Sequence, residues 1–216
     1  MRILAFTDIH GSYKKVESAL SMESDFDVVV IGGDLTTHGT VSEAREAMVG
    51  FQGCGKPVLA VAGNMDLPDF DELYTGLGVN INARAIVLDN VGFFGISGSP
   101  FTPMHTPYEI TEGEMGRRAE AGWAEVREAR RKVFVPHAPP SGTRLDRTFL
   151  GKHVGSSAIR GFVERNQPDV LICGHIHESR GIDVLGKTKM VNCGAAGQGY
   201  YAVVDIGEEV TIELRG

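Results

Sequence analysis

Residues 3–10, Ile3-Leu-Ala-Phe-Thr-Asp-Ile-His10, join an apolar segment directly to a carboxylate and an imidazole. The apolar part does not alternate with polar residues, which is typical of a strand buried on both faces of an α/β sheet. The same arrangement recurs along the chain after the apolar segments 28–31, 58–62, 133–135 and 170–173. This repetition predicts an α/β fold built on buried strands.

Amphipathic helices are predicted between these strands. An apolar stripe at i, i+3 and i+4 follows Ser12. Two further helices begin at capping boxes, in which a threonine is followed three residues later by a glutamate, at 40–43 and 111–114. A shorter helix is predicted over 68–76, and another around 159–163 that ends before Pro168.

The remaining segments predict additional strands. Segments 85–88 and 91–96 are predicted to pair as a hairpin that turns at Asp89-Asn90. From Gly181 onward the chain has only short strands and turns, over 182–185, 189–192, 200–205 and 210–214, which we interpret as an antiparallel meander. No linker or repeat interrupts the pattern, so residues 1–216 are expected to form a single domain with more than one sheet layer.

Charge and composition exclude several classes of protein. The 21 Lys and Arg against 28 Asp and Glu give a net charge of −7, which disfavours stable binding to a nucleic-acid backbone. No apolar stretch approaches the roughly 18 residues that a membrane span needs. The three cysteines include no Cys-x-x-Cys pair, which favours a reduced, cytoplasmic protein.

The residues that follow the five apolar segments form one set of oxygen and nitrogen donors. The set is Asp8, His10, Asp34, Asn64, His137, His175 and His177. Ligands of open α/β sheets bind at the carboxyl ends of the strands, so we expect these side chains to converge. Carboxylates and imidazoles clustered at an apolar rim are costly to desolvate unless a metal neutralises them.

The number and type of donors favour two metal ions. Seven protein donors exceed what one catalytic metal with an open position usually takes, whereas two ions sharing a bridging carboxylate would use them all. No cysteine is among the donors, which favours Mn, Fe, Ni, Zn or Mg. Each motif alone has a simpler explanation, since Gly-Asp and Gly-Asn are common turn pairs. The metal hypothesis depends on the five motifs that follow the apolar segments occurring together and in this order.

The ordered series Asp-x-His, Gly-Asp, Gly-Asn, His and Gly-His-x-His resembles the calcineurin-like metallophosphoesterase superfamily, over residues 1 to about 205. It looks most like the small, single-domain prokaryotic members. The resemblance implies a sandwich of two facing mixed β-sheets flanked by helices. It also implies a phosphate-ester small molecule or nucleotide as substrate, and a possible homo-oligomer.

The resemblance also implies a ligand set for each metal. One ion would be held by Asp8, His10, Asp34 and His177, and the other by Asp34, Asn64, His137 and His175, so that Asp34 bridges. Manganese is the favoured ion. The implied reaction is the attack of a bridging hydroxide on the phosphorus atom, with Asp8, Asp34 and Asn64 in catalytic roles.

Met65 departs from the family pattern, which often has a histidine after Gly-Asn that meets the leaving group. Methionine has no proton to donate, and a positioned general acid is typically worth about 10²–10⁴ in rate. This departure favours a phosphodiester substrate. A phosphomonoesterase of the same fold, and a metal-binding protein-interaction scaffold with little activity, are the alternatives.

Several residues outside the donor set carry secondary predictions. His38 follows Asp34 closely and His105 lies in the proline-containing loop 97–111, so one of them is hypothesised to reach the substrate. His153 is expected at the surface. Asp66 either ties down the Asn64 turn or caps the helix that starts at Pro68, and capping is favoured. Residues 181–188 match the phosphate-binding pattern G-x-x-x-x-G-K-T, but their interior is predicted as strand, so a nucleotide-binding loop is disfavoured.

Overall fold

The computed structural model describes residues 1–216 as two β-sheets that face each other, with α-helices on their outer sides. The strands are, in chain order, β1 (Arg2–Phe6), β2 (Val28–Gly32), β3 (Val58–Val61), β4 (Ala85–Leu88), β5 (Val91–Ile96), β6 (Arg131–Pro136), β7 (Val170–Cys173), β8 (Gly181–Leu185), β9 (Thr188–Asn192), β10 (Tyr201–Ile206) and β11 (Val210–Arg215). The helices are α1 (Tyr13–Met22), α2 (Val41–Gln52), α3 (Phe70–Gly76), α4 (Glu112–Glu125) and α5 (Ser157–Asn166).

Both sheets are mixed, as the resemblance implies. The first has the order β11-β10-β1-β2-β3, in which β1, β2 and β3 are parallel. The second has the order β4-β5-β6-β7-β9-β8, in which the four central strands are parallel. The fold prediction is therefore confirmed.

Three apolar clusters fill the spaces between the layers. The inner faces of the two sheets share a cluster that includes Ala5, Val30, Val133 and Ile172. Helices α1, α2 and α3 cover the outer face of the first sheet, and α4 and α5 cover that of the second. Strands buried on both faces explain why the apolar segments do not alternate with polar residues.

The predicted meander after Gly181 is wrong. Strands β8 and β9 form a hairpin in the second sheet, while β10 and β11 form a hairpin in the first. The chain crosses between the sheets through a short 3₁₀ turn, Ala196–Gln198. Strand periodicity shows which segments are extended but not which neighbour each one pairs with, so two hairpins in different sheets resemble one meander in sequence.

Most local predictions agree with the structure. Thr40 and Thr111 accept hydrogen bonds from the backbone N–H groups of Glu43 and Glu114, as N-caps do. Strands β4 and β5 pair antiparallel around Asp89-Asn90. Segment 181–188 is a β-hairpin and not a phosphate-binding loop. None of the helices combines the length and the apolar character needed to cross a bilayer.

Candidate metal centre

Carboxyl ends of strands from both sheets supply the candidate donors. Asp8 and His10 follow β1, Asp34 follows β2, and Asn64 follows β3, all in the first sheet. His137 follows β6, and His175 and His177 follow β7, in the second sheet. Because these strands are parallel within each sheet, their ends meet on one side of the molecule.

Four of the seven donors have a left-handed backbone conformation. The φ angles are 55° at Asp8, 48° at His10, 50° at Asp34 and 67° at His175. Such conformations cost non-glycine residues of order 1–3 kcal/mol and cluster at functional sites, where the surrounding structure enforces them. The sharp turns aim the side chains inward from the strand ends.

Glycines before two donors permit a very close approach of neighbouring segments. A Cβ atom at Gly63 would lie 2.0 Å from Asp34 Oδ1, and one at Gly174 would lie 2.1 Å from Asp8 Oδ2. Both distances are far below van der Waals contact, so only glycine fits. The Gly-Asn and Gly-His pairs of the sequence therefore reflect the packing of the donors against one another.

Asp8, His10 and His177 form the first group of converging ligand atoms. His177 Nε2 lies 3.2 Å from Asp8 Oδ1. His10 Nε2 lies 3.4 Å from His177 Nε2 and 3.7 Å from Asp34 Oδ2. Asp8 is fully buried, and its carboxylate accepts a 3.0 Å hydrogen bond from the His175 backbone N–H.

Asp34, Asn64, His137 and His175 form the second group. Asn64 Oδ1 lies 3.0 Å from His137 Nε2 and 2.7 Å from His175 Nδ1. His137 Nε2 is also 3.5 Å from Asp34 Oδ2. The Asp34 carboxylate thus faces His10 on one side and His137 on the other, which is the position a bridging ligand requires.

The hydrogen bonds of His137 test whether this donor set suits a cation. The ring Nδ1 lies 2.9 Å from the Gly32 carbonyl oxygen, which can only accept, so Nδ1 carries the proton. In the neutral ring, Nε2 then presents a lone pair to Asn64 Oδ1 and Asp34 Oδ2, which are also lone-pair donors. Either a proton on Nε2 or a cation must lie between these three atoms, and a metal ion can take the place of the proton, so the residues fit a metal ion.

The electrostatics of the cluster without an ion lead to the same conclusion. Burial raises the pKa of Asp8, but the hydrogen bond from His177 and the nearby imidazoles outweigh it and lower the pKa to about 2. Burial lowers the pKa of His137, yet the Asp34 carboxylate outweighs burial and raises that pKa to about 9. Burial and the neighbouring His137 lower the pKa of His175 to about 4. Asp8 thus stays ionised near neutral pH, and positive charge is favoured beside it and beside Asp34.

Asp66 supports the site and does not cap a helix, so the favoured prediction for it is wrong. Its buried carboxylate accepts hydrogen bonds from the backbone N–H groups of Thr36 at 2.8 Å, Gly63 at 2.8 Å and Leu35 at 3.1 Å. It therefore joins the turn that carries Asp34 to the turn that carries Asn64, which was the less favoured alternative. Helix α3 starts after Asp69, whose side chain makes no capping bond.

A cavity of about 290 Å³ opens over the donors. Besides donor residues it is lined by Met65 and by three residues of loop 97–111, namely Thr102, Met104 and Thr106. The sequence signal for the loop was its length and its prolines, but nothing in the sequence singled out these three side chains. A larger cavity, about 500 Å³, lies near the starts of β1, β5 and β6, away from the donors.

His38 and His105 do not line the cavity over the donors. Both are exposed, and neither side chain makes a hydrogen bond within the protein. The hypothesis that one of them reaches the substrate therefore gains no support from the geometry and stays a prediction. His153 is exposed as expected, and its Nδ1 lies 2.6 Å from the buried Asp146 carboxylate.

Fold and donor cluster together define a class of α/β proteins with a candidate metal centre between two facing sheets. The family model described as calcineurin-like phosphoesterase matches residues 1–179, and the chain belongs to this family. Family and donor cluster together indicate a dinuclear metal site.

The relatives and structural neighbours are consistent with this assignment. An uncharacterized protein of Methanocaldococcus jannaschii is 36% identical over 197 residues, which cover 89% of this chain and 87% of that protein. A UPF0046 protein of Caenorhabditis elegans is 30% identical, covering 92% of this chain and 71% of its own length. The crystal structure of a dimetal phosphatase from Danio rerio superimposes with a TM-score of 0.70 at 11% identity, covering 100% of this chain and 96% of that one. The last comparison concerns the fold alone.

Proposed function

We propose that residues 1–216 form one catalytic domain that hydrolyses a phosphodiester with two divalent metal ions. The observation that supports this most directly is the convergence of the potential ligand atoms His137 Nε2, Asn64 Oδ1 and Asp34 Oδ2, with Asp34 Oδ2 also 3.7 Å from His10 Nε2. One ion would be held by Asp8, His10, Asp34 and His177, and the other by Asp34, Asn64, His137 and His175. Manganese is the proposed ion, although similar donors suit Fe, Ni, Zn and Mg.

The protein's own groups would keep these ligands in place. Two divalent ions would lower the pKa of water bound between them and neutralise phosphoryl charge. The Gly32 carbonyl fixes the tautomer of His137. The backbone N–H of Met65 donates to Asp34 Oδ1 at 2.8 Å, which orients that carboxylate and leaves Oδ2 free to bind. Such outer hydrogen bonds orient metal ligands and are costly to remove.

The leaving group would depart without a proton from a side chain. A water oxygen forms a bond to phosphorus, the bond to the leaving oxygen breaks, and its electron pair stays on that oxygen while the water proton passes to solvent. The Thr102 and Thr106 hydroxyls lie within 2.8 Å of a Glu109 oxygen, to which they donate. The two other cavity residues outside the donor set, Met65 and Met104, have no proton to donate. Weakly basic leaving groups are therefore favoured.

Charge supports a diester over a monoester. None of the residues lining the cavity is lysine or arginine. A phosphomonoester carries close to two negative charges at pH 7, since its second pKa is about 6, whereas a diester carries one. A cavity without lysine or arginine thus compensates less of the charge that a monoester brings.

Turnover of chromogenic esters tests the proposal. The purified protein is assayed with bis(p-nitrophenyl) phosphate and with p-nitrophenyl phosphate, each with excess Mn²⁺ and with a chelator. We expect metal-dependent turnover with higher kcat/KM for the diester. Asp34→Asn should lower kcat by orders of magnitude, while His153→Ala, a histidine outside the site, should not. Absence of metal-dependent turnover on diesters, monoesters and nucleotides would contradict the proposal, and a higher kcat/KM for the monoester would contradict its diester part.

A further inference from the structure

Loop 97–111 forms one wall of the cavity over the metal donors, and the proposed chemistry gives this wall no task. The wall consists of Thr102, Met104 and Thr106 from the loop, together with Met65 from the Asn64 turn. All other residues that line the cavity are donors. A phosphoryl group held at the donors must therefore place its organic substituents against this wall or toward the cavity mouth.

The loop is held in place by a carboxylate within it. Glu109 Oε1 accepts hydrogen bonds from the Thr102 hydroxyl at 2.6 Å, the Thr106 hydroxyl at 2.8 Å and the Thr106 backbone N–H at 2.9 Å. The Met104 backbone N–H donates to the Thr102 hydroxyl at 3.2 Å. These bonds close the segment 102–109 into a compact turn with Met104 at its tip.

The base of the loop is attached to the metal centre itself. The Tyr108 backbone N–H donates to the carbonyl oxygen of Asn64 at 3.0 Å. The Tyr108 side chain is buried, donates to Asp71 and accepts from Arg118 at 2.7 Å. Because the loop and the donor Asn64 share a backbone hydrogen bond, the base of the loop is held beside the donors, and Met104 lines the cavity above them.

The chemistry of the wall is apolar. Because the Thr102 and Thr106 hydroxyls already donate to Glu109, the thioether side chains of Met65 and Met104 are the groups left to contact a substrate. Met104 is 77% exposed, a large apolar area to leave in water beside a polar cluster. Thioethers are polarizable and pack well against aromatic rings. No lysine or arginine lines the cavity to attract a second anionic group.

We propose that Met65 and Met104 form a subsite for an apolar, preferably aromatic, substituent of the phosphodiester, with Glu109 as the positioning residue of that subsite. The inference rests on the proposed function and names the class of substrate for the same site. It assigns loop 97–111 to substrate selection, since no residue of the loop belongs to the donor set.

Two diesters that share a leaving group test the subsite. Bis(p-nitrophenyl) phosphate and methyl p-nitrophenyl phosphate both release p-nitrophenol, but only the first has an aryl group left for the subsite. Met104→Ala is expected to lower kcat/KM for the bis-aryl ester about tenfold, through loss of apolar contact, and to leave the methyl ester within about twofold. Met22→Ala, a 70% exposed methionine at the end of α1, is the matched control and should change neither.

Glu109 variants separate positioning from folding. Glu109→Ala should raise KM for the bis-aryl ester with little change in kcat for the methyl ester, and Glu109→Gln, which keeps an acceptor oxygen, should restore part of the KM. A merely structural role would lower both activities equally. Equal effects of Met104→Ala on the two diesters, or no effect on either, would overturn the subsite while leaving the phosphodiesterase proposal intact. Absence of turnover of both diesters by the unmodified protein would overturn both proposals.

Discussion

Gly63 lies where the chain leaving β3 passes directly over Asp34, and its backbone N–H donates to Asp66 at 2.8 Å. An added Cβ would lie 2.0 Å from Asp34 Oδ1 and 2.2 Å from the Asp34 backbone nitrogen. Neither of these atoms can move without displacing a metal donor. The glycine is therefore required by close approach, and not by a left-handed backbone.

Gly63→Ala is expected to weaken metal binding and to destabilise the fold by about 1–3 kcal/mol, the usual cost of overpacking a close-packed site. The measurements are the Mn²⁺ dissociation constant by calorimetry and the free energy of unfolding in urea. Gly116→Ala is the matched control, because Gly116 lies within α4 with no atom within 4 Å of the added Cβ. That substitution should stabilise the protein by roughly 0.5–1 kcal/mol through helix propensity and leave metal binding unchanged. A Gly63→Ala variant that binds Mn²⁺ like the unmodified protein would show that Asp34 is not held as described.

The sequence predicts the donor residues of the site but not the residues and backbone conformations that support them. The donor residues could be chosen from the sequence because each follows an apolar segment, and that spacing is visible in the chain. The tie between Asp66 and the Asn64 turn was only the less favoured alternative, because two of the partners of Asp66, the backbone N–H groups of Leu35 and Thr36, lie about thirty residues away and have no signature in sequence. The left-handed backbone at Asp8 and Asp34 is likewise imposed by tertiary packing on residues that do not require it.

Among the secondary-structure elements, α4 and α5 are joined by a side chain of α4 that accepts hydrogen bonds from the N-terminus of α5. Ser156 is the N-cap of α5, and its hydroxyl accepts from the Ile159 backbone N–H at 3.1 Å. Glu112, the first residue of α4, accepts from the Ser156 hydroxyl at 2.6 Å and from the Ala158 and Ser157 backbone N–H groups at 2.7 and 3.1 Å. Three hydrogen-bond donors at the start of one helix thus depend on a carboxylate from another.

Glu112→Gln is expected to lower the free energy of unfolding by about 1–2 kcal/mol. The substitution removes a negative charge beside a helix N-terminus and replaces one acceptor oxygen by an amide that cannot accept. Urea denaturation followed by circular dichroism measures the effect. Glu120→Gln is the control, because Glu120 is on the same helix but pairs only with the exposed Arg165, and such surface pairs contribute little. Equal stability of the two variants would contradict the role of Glu112.

The positions of the helices and strands were largely predictable from the sequence, whereas the pairing of the strands was not. The strands and helices follow from apolar segments, capping boxes and turn residues that lie close together in the chain. The exchange of the chain between sheets after β9 depends on contacts such as the bridge between Thr7 and Ala195, which are remote in sequence. Loop 97–111 stands out in the sequence by its length, but its conformation, with Met104 on the cavity wall, depends on hydrogen bonds to Glu109 that no local sequence pattern predicts.

On the scale of the whole molecule, the donor set joins the two sheets. Asp8, His10, Asp34 and Asn64 come from the first sheet, and His137, His175 and His177 come from the second. An apolar interior also packs the sheets together, and segment 79–83 links β3 to β5 through backbone hydrogen bonds with Ala60 and Gly95. An ion bound by ligands from both sheets would exist only in the folded state, so its binding free energy would add to the stability of the fold.

Mn²⁺ is therefore expected to raise Tm in proportion to the logarithm of its concentration. At 100 times the dissociation constant the gain is about 2.7 kcal/mol, and a chain of this size shifts by roughly 2–4 °C per kcal/mol. Scanning calorimetry with increasing Mn²⁺, and with a chelator, measures the shift without relying on catalysis. His137→Ala should abolish most of this rise in Tm, because the variant lacks a proposed metal ligand that the second sheet contributes. His153→Ala should begin from a lower Tm, since the buried Asp146 loses one of its hydrogen bonds, and still show the full shift. An equal shift in the His137 and His153 variants would mean that Mn²⁺ binds elsewhere.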